Sequence, residues 1–568
     1  MGMFSTTNKE RLVELMSKMQ PKIITTLKNY SKEDCFNDIT AGVIVAIIAL
    51  PLSIALAIAS GVTPEKGLYT AIIAGFFISL LGGSRVQIGG PTGAFMIIVF
   101  GIVTKYGVEG LTIATIMAGM MMMIMGFMKL GGVIKYIPYP ITTGFTTGIA
   151  LVIFSSQIKD FFGLSTGEVP AEFLGKWRVY IEAFRTFDAM TTLMGVLALL
   201  IIIWWPKVTK KIPGALIALI VTSALVKVLG LEVATIGSKF GEMSSALPSF
   251  QWPDLTLDKI RLLLVPAFSI AILGSIESLL SAVVSDGMIG GKHRSNMELV
   301  AQGVGNMMSG LFGGIPATGA IARTVANVKN GGRTPVAGIV HSLTLLLILV
   351  LFMPLAKMIP LSALAAVLII VAYNMSDWRE FLLLFKSPKS DILVLLITFF
   401  LTVLVDLVKA IEVGMVLAAF LFMKRMADVT DVNLDSLDAA EESDKPLGPI
   451  SDKNLATVNQ LSGTCLYEIN GPFFFGAADK FLSFLGNIGD PTERLILRMR
   501  YVPAMDATAL QAFRKMQHLC DHHHIELLIT GINEQPRSVL TKAGIVEAIG
   551  PDKFFATVDE ALAYTEHK

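Results

Sequence analysis

Gly90-Pro91-Thr92-Gly93-Ala94-Phe95 and Ile315-Pro316-Ala317-Thr318-Gly319-Ala320-Ile321 are two versions of one short text, about 226 residues apart. Each is a Pro/Thr/Gly break inside an otherwise apolar segment. Such breaks at matching places in two halves of a chain point to the substrate site of a transporter. The reason is electrostatic. A helix that starts in mid-bilayer exposes unpaired N–H groups and a partial charge of about +0.5 at its N-terminus. Two such ends facing each other attract an anion.

The surrounding composition is that of a membrane protein. Hydrophobic residues make up 53% of the 568 and charged residues only 16%, and mean hydropathy is +0.66. Runs such as 39–60, 193–205 and 342–353 carry almost no charge, and a span needs about 20 apolar residues. A net charge of +1 gives no reason to expect nucleic acid. Three scattered cysteines (Cys35, Cys465, Cys520) make neither a disulfide framework nor a zinc site. No cofactor or metal is expected. No nucleotide loop, HExxH or nucleophile elbow is present, so no enzyme activity is expected either.

Hydropathy divides the chain into a cytoplasmic N-terminal segment (1–38), a transport domain (39–425), an acidic linker (426–454) and a soluble α/β domain (455–568). About fourteen segments fall between Ile39 and Met423. The ones opening at Pro91 and Pro316 are too short to cross, and each follows a brief extended stretch, 86–89 or 311–315. They come third and tenth, the same ordinal place in two sets of seven. Seven is odd, so the second set enters from the opposite side: an inverted repeat. Lys and Arg concentrate in the loops after even-numbered spans, which puts both termini in the cytoplasm and loops 159–189 and 231–261 outside.

Glu277 is the most informative acid. It lies in an apolar, small-residue run with Ser278 beside it and Ser281 one turn on. A mid-bilayer charge costs at least about 2.5–3.5 kcal/mol and so marks a pathway or relay. Its bland alternative is a structural acid held by hydroxyls or a hidden Arg. Arg323, six residues into the second half-helix, either adds positive charge to the anion site or snorkels outward with Lys329. Thr92 and Thr318 offer hydroxyls, and Gly93 and Gly319 let backbone N–H groups approach a ligand. His341 opens a later span as a relay or a packed ring. His522-His523-His524 reads as a solvated turn, because consecutive helix positions do not converge on one ion.

Gly89–Gly93, Gly274-Ser275-Ile276-Glu277-Ser278-Leu279-Leu280, Gly313–Pro316 through Arg323-Thr324, and Gly331-Gly332-Arg333-Thr334 together resemble the sulfate permease (SulP) anion transporters. The resemblance covers the chain from Phe36 on. It implies a 14-segment, seven-plus-seven inverted-repeat membrane domain with two half-helices, in which a core moves against a scaffold by alternating access, followed by a cytoplasmic α/β STAS domain. Carried over by position, it implies substrate contacts at Thr92, Gly93 and Ala94, at Thr318, Gly319, Ala320 and Arg323, and along a first-span wall of Leu52, Ser53 and Leu56. Glu277 and Ser281 match the acid and hydroxyl that take the coupling cation in cation-driven members.

Gly471–Ala478 and Met505-Asp506-Ala507-Thr508-Ala509 resemble STAS domains, with Thr508 at the position of a phosphorylatable residue and Ala509 in place of the usual Gly. Val233–Ser238, 274–292 and Ile359–Ala363 through Asn374-Met375-Ser376 resemble a bacterial C4-dicarboxylate-uptake branch. The expectation is therefore a bacterial inner-membrane, multi-pass homodimer that imports succinate, fumarate or aspartate with H⁺, its STAS domain docking a cytoplasmic protein. Na⁺- or H⁺-coupled bicarbonate or sulfate transport stays open, as do an uncoupled anion conductor and an anion sensor.

Overall fold

A computed structural model describes residues 19–132, 137–167, 169–170, 172–209, 212–241, 245–405, 407–429, 431–435, 464–475, 478, 481 and 493–566. The chain divides into two compact units, Met1–Met415 and Val416–Lys568.

The first unit is helical, and its segments stand at the places hydropathy assigned. Span 1 is Lys32–Ala59 and span 2 is Pro64–Leu81. Spans 3 and 4 share one run, Gly93–Phe127, interrupted where Gly107 takes φ 71°. Spans 5, 6 and 7 are Tyr139–Phe162, Ala189–Val208 and Gly214–Leu229. Spans 8, 9 and 10 are Leu257–Ile289, Ser295–Leu311 and the short Ile321–Lys329. Spans 11, 12 and 13 are Val336–Ala356, Leu361–Met375 and Lys389–Leu404, and span 14, Leu407–Val429, starts in this unit and continues past its end at Met415. Their ends follow local chemistry. Ser31 and Asp34 form a capping box at the start of span 1. Gly163, Gly230 and Gly290 close spans 5, 7 and 8 in the left-handed conformation.

The packing repeats by inversion. Span 1 packs on 11 as span 8 packs on 4, and span 5 packs on 13 as span 12 packs on 6. Spans 1–4 and 8–11 make one group and 5–7, 12 and 13 another, joined by lighter contacts of span 12 with 1, 3 with 5, and 1 with 7. Small residues permit the closest crossings. A Cβ at Gly119 would sit 2.5 Å from the Gly303 carbonyl, and one at Gly303 2.6 Å from the Gly119 carbonyl. Apolar lipid gives helices no hydrophobic drive to associate, so this close backbone approach supplies the attraction.

The loops entering the two breaks are held from opposite sides by spans 2 and 9. Glu298, fully buried, accepts from Gly83 N (2.8 Å), Ser84 N (2.9 Å) and Gln302 Nε2 (2.9 Å). Lys66 Nζ donates to Gly313 O (3.0 Å), and Thr70 Oγ1 accepts from Ile315 N (2.7 Å). An acid grips amides before one break, and a base grips a carbonyl before the other.

Among the described residues of the second unit five strands run in the order β3 (Asp431–Asp435), β4 (Thr464–Asn470), β5 (Arg494–Tyr501), β6 (Glu526–Thr530) and β7 (Phe554–Phe555). All neighbouring pairs are parallel except β3–β4. Leu495, Leu497, Leu527 and Ile529 face one side with Phe513 of the helix Ala507–His522, while Leu466, Ile496 and Leu528 face the other with Ala561 and Leu562. This is the period-two pattern of a sheet covered on both faces. Asp431–Asp435 corrects the linker reading of that stretch. Val432 and Leu434 alternate with Asp431, Asn433 and Asp435, and this short amphipathic strand adds to the edge of β4. The sequence predicts a helix over 477–485, and that stretch lies outside the described residues apart from Ala478 and Phe481.

Candidate functional site

The two breaks meet. β1 (Gly89–Gly90) pairs antiparallel with β2 (Thr318–Gly319), Gly89 opposite Gly319 and Gly90 opposite Thr318. Ala320 N extends the pairing to Ile88 O (2.9 Å). The extended stretches lie slightly later than the sequence suggests. Leu311 still belongs to span 9, and the second stretch runs from Gly314 to Ala320. Span 3 starts after Thr92 and span 10 after Ala320. Counted from helix starts, Thr92 therefore corresponds to Ala320 and Gly93 to Ile321. The Thr-Gly-Ala likeness aligns the breaks two residues out of step, because Thr318 and Gly319 are used in β2.

Neither half-helix is capped by a side chain. A Thr at the N-cap ordinarily accepts from the first-turn amides. Thr92 instead donates its Oγ1 proton to Glu277 Oε2 at 2.8 Å, and Ala320 has no cap to offer. No side chain caps the first-turn amides of span 3, beginning at Gly93 and Ala94, or those of span 10. Thr92 and Glu277 are half-buried, whereas Gly93 and Ala94 are buried and Ile321 is 40% exposed.

Thr318, fully buried, does not present its hydroxyl to the break. It shares a hydrogen bond with Ser278 Oγ (2.7 Å) and donates to Gly274 O (3.2 Å). Gly319 N donates to Ser278 Oγ (3.1 Å). A Cβ on Gly319 would fall 1.4 Å from Gln87 Nε2, which donates to Ser278 O (3.0 Å). A side chain at 319 would therefore displace Gln87 from that bond. Ser281 Oγ donates to Thr324 Oγ1 (3.3 Å), which accepts from Ile88 N (3.1 Å). Span 8 therefore touches both breaks, at Thr92 through Glu277 and at Thr318 through Ser278.

Arg323 does not snorkel. Its side chain is 1% exposed, and its Nη2 donates to Pro91 O of the first break. Among the described residues Nε and Nη1 have no hydrogen-bond partner. A fixed positive charge from the second half thus stands directly behind the first break. His341 is fully buried nearby, with neither ring nitrogen bonded among the described residues. On span 1, Leu52 is half-buried, while Ser53 and Leu56 are buried. Gly67 of span 2 packs on the Ser53 carbonyl, so this part of the wall faces span 2. Thr508 is exposed in the first turn of the helix Ala507–His522, whose N-cap Asp506 accepts from Ala509 N (2.8 Å). The histidines at 522–524 are exposed at that helix's end.

Sequence reading missed the polar support of the breaks. Glu298, Gln302 and Asn306 are fully buried and recur every four residues, one face of span 9. Asn306 brackets Ala317 with two hydrogen bonds of 2.8 Å, and Asn327 Nδ2 donates to Val86 O (2.8 Å). The four-residue spacing of polar residues in an apolar segment was the available signal. Asp38 was also missed. Placed at the end of the polar N-terminal segment, it is fully buried and accepts from Arg333 N (2.8 Å), Thr334 N (3.2 Å) and Thr334 Oγ1.

Residues 36–398 match the sulfate permease family and residues 456–561 match the STAS domain. The chain is 42% identical to YvdB of Bacillus subtilis (strain 168), designated as a sulfate transporter, over 94% of this chain and 98% of that one. It is 30% identical to the bicarbonate transporter BicA of Picosynechococcus sp. (strain ATCC 27264 / PCC 7002 / PR-6), over 92% and 94%. The murine Slc26a9 anion transporter, solved in an inward-facing state, superposes with a TM-score of 0.85 over 98% of this chain and 95% of that one at 17% identity, a likeness of fold.

Proposed function

We infer, from the premise that this chain belongs to the sulfate permease family, that its paired half-helices bind a small oxyanion and that Glu277 couples its movement to a cation. The family membership makes the chain a multi-pass membrane anion transporter with a C-terminal STAS domain, and not an enzyme. The observation that carries the finer reading is the use of Thr92. The one hydroxyl able to cap span 3 is held by an intramembrane carboxylate, so anion site and acid share a residue. A proton or Na⁺ on Glu277 alters that contact, and the uncapped first-turn amides take the anion.

For the anion, sulfate and bicarbonate are favoured by what the relatives YvdB and BicA are designated to carry. A C4-dicarboxylate taken up with H⁺ is the second reading, resting on the runs at Val233–Ser238, 274–292 and 359–376. A homodimer in a bacterial inner membrane, with both termini cytoplasmic and the STAS domain regulating transport or docking a partner, completes the proposal.

The deciding experiment is uptake of labelled sulfate, bicarbonate, succinate and fumarate into proteoliposomes, with and without pH and Na⁺ gradients. Accumulation of one anion against its gradient, driven by one cation, is expected. Gradient-independent equilibration of every anion would leave an uncoupled conductor. Thr92→Val removes the hydrogen bond to the acid, an interaction worth about 1.5 kcal/mol or more. Coupled uptake should fall about tenfold, and an unchanged rate would detach Thr92 from the mechanism. Thr508→Ala, at an exposed position, should shift stability by less than about 0.5 kcal/mol, read as an unchanged melting temperature of the full chain.

A further inference from the structure

We propose that a cavity of about 330 Å³ beside spans 1, 3, 5 and 12 is a second anion site, which collects a small oxyanion before it reaches the half-helix starts. The proposal rests on the transport reading above and adds a station to the same path.

The cavity touches the path directly. Met96 and Ile97 line it, and Met96 lies one helical turn beyond Thr92 on the same half-helix. Ala55 and Ile58 line it from span 1, on either side of Leu56. Leu361, Leu364 and Leu368 close it from span 12. These elements come from both packing groups, so relative movement of the groups would change the cavity's shape.

Its charge is one-sided. Lys159, Lys176 and Lys239 line it against one described acid, Asp160. Lys239 Nζ stands 3.9 Å from Asp160 Oδ1, which accounts for that carboxylate. Lys176 is the unusual residue. It belongs to the helix Phe173–Ala183, is only 7% exposed, and forms no ion pair among the described residues. Its Nζ lies 5.6 Å from the ring centroid of Phe100 on span 3. A lysine is almost never so buried without a partner. Burial holds it below the usual lysine value. An anion in the cavity would supply the missing counter-charge. Gln157 and Ser156 add neutral polar groups to the lining.

Ligand chemistry follows from shape and charge. The apolar lining excludes a large hydrated ion, and clustered ammonium groups favour a small oxyanion such as sulfate, bicarbonate or a short dicarboxylate. Clefts lined by one sign of charge raise the local concentration of counter-ions. Such a site acts on apparent affinity and leaves the turnover of the loaded carrier alone.

The test compares wild type, Lys176→Met, which keeps the apolar stem, and Lys176→Arg, which keeps the charge. Initial uptake of labelled sulfate, bicarbonate and succinate is measured in proteoliposomes, with saturable binding of the same anions to the solubilised full chain. Lys176→Met should raise KM for the carried anion about tenfold with Vmax within about twofold, and Lys176→Arg should stay within about threefold of wild type on both. Lys239→Gln, also in the lining, should raise KM in the same direction. An unchanged KM in Lys176→Met, or a loss confined to Vmax, would overturn the site and leave Lys176 as packing for Phe100. Should wild type carry none of the anions, the transport reading fails by itself. Saturable binding lost in Lys176→Met would then still uphold the cavity, and its absence would overturn both.

Discussion

Glu277→Gln should abolish cation-driven accumulation of the anion while leaving anion exchange in place. Gln keeps the size of the side chain and an oxygen able to accept from Thr92 Oγ1, so the 2.8 Å contact survives. What disappears is the ability to gain and lose charge. One pH unit across the membrane is worth about 1.4 kcal/mol per proton, or about a tenfold anion ratio at equilibrium. That ratio should collapse to about one in the variant, whether H⁺ or Na⁺ is the coupling ion. Counterflow of labelled against unlabelled anion should persist, since it needs binding and alternation without net cation movement. Accumulation at the wild-type ratio would remove Glu277 from the coupling step and return it to a structural acid held by Thr92.

Arg323→Met should abolish uptake without destabilising the protein. The guanidinium is 1% exposed, has no carboxylate partner among the described residues, and leaves Nε and Nη1 unbonded there. Burying a charge in that state is costly. Replacing buried ionic groups by apolar residues of similar volume is often neutral or stabilising by about 1–4 kcal/mol. The melting temperature of the solubilised variant should accordingly stay level or rise, despite the lost bond to Pro91 O. Transport should fail for the same electrostatic reason, because the positive charge behind the first break is gone. Half-helix ends act at about half a charge each, and a full charge in low dielectric outweighs them. A large fall in melting temperature with near-normal anion affinity would make Arg323 a strut instead. Phe95 offers a contrast on the first half-helix. It is buried against Gly274, and Phe95→Leu should cost stability more than anion affinity.

Much of the architecture was legible in composition and order. Apolar runs of span length cannot be hidden, because every such segment must be predominantly apolar along its length. The two Pro-containing breaks were visible for the same reason, as interruptions in otherwise continuous apolar text. Glu277 stood out because an acid in such a run is expensive. The α/β character of residues 455–568 was legible, but the strand Asp431–Asp435 was hidden by its acidic composition.

The sequence by itself determined the membrane class, the third-and-tenth placement of the breaks, and the acid that accompanies them, since these depend on hydropathy and count. Tertiary structure decided what each polar group does. Likeness at Thr92 and Thr318 promised two equivalent hydroxyls, but one reaches Glu277 and the other is held by Ser278 and the Gly274 carbonyl. Arg323 belongs by sequence to the second break and by contact to the first. Lys176, in a loop whose charges seemed incidental, lies buried beside the first half-helix. Partners of a buried polar group lie tens to hundreds of residues away, as Thr92 and Glu277 do, 185 residues apart. Local sequence records the cost of burying a charge, and only the packed spans reveal which group offsets it.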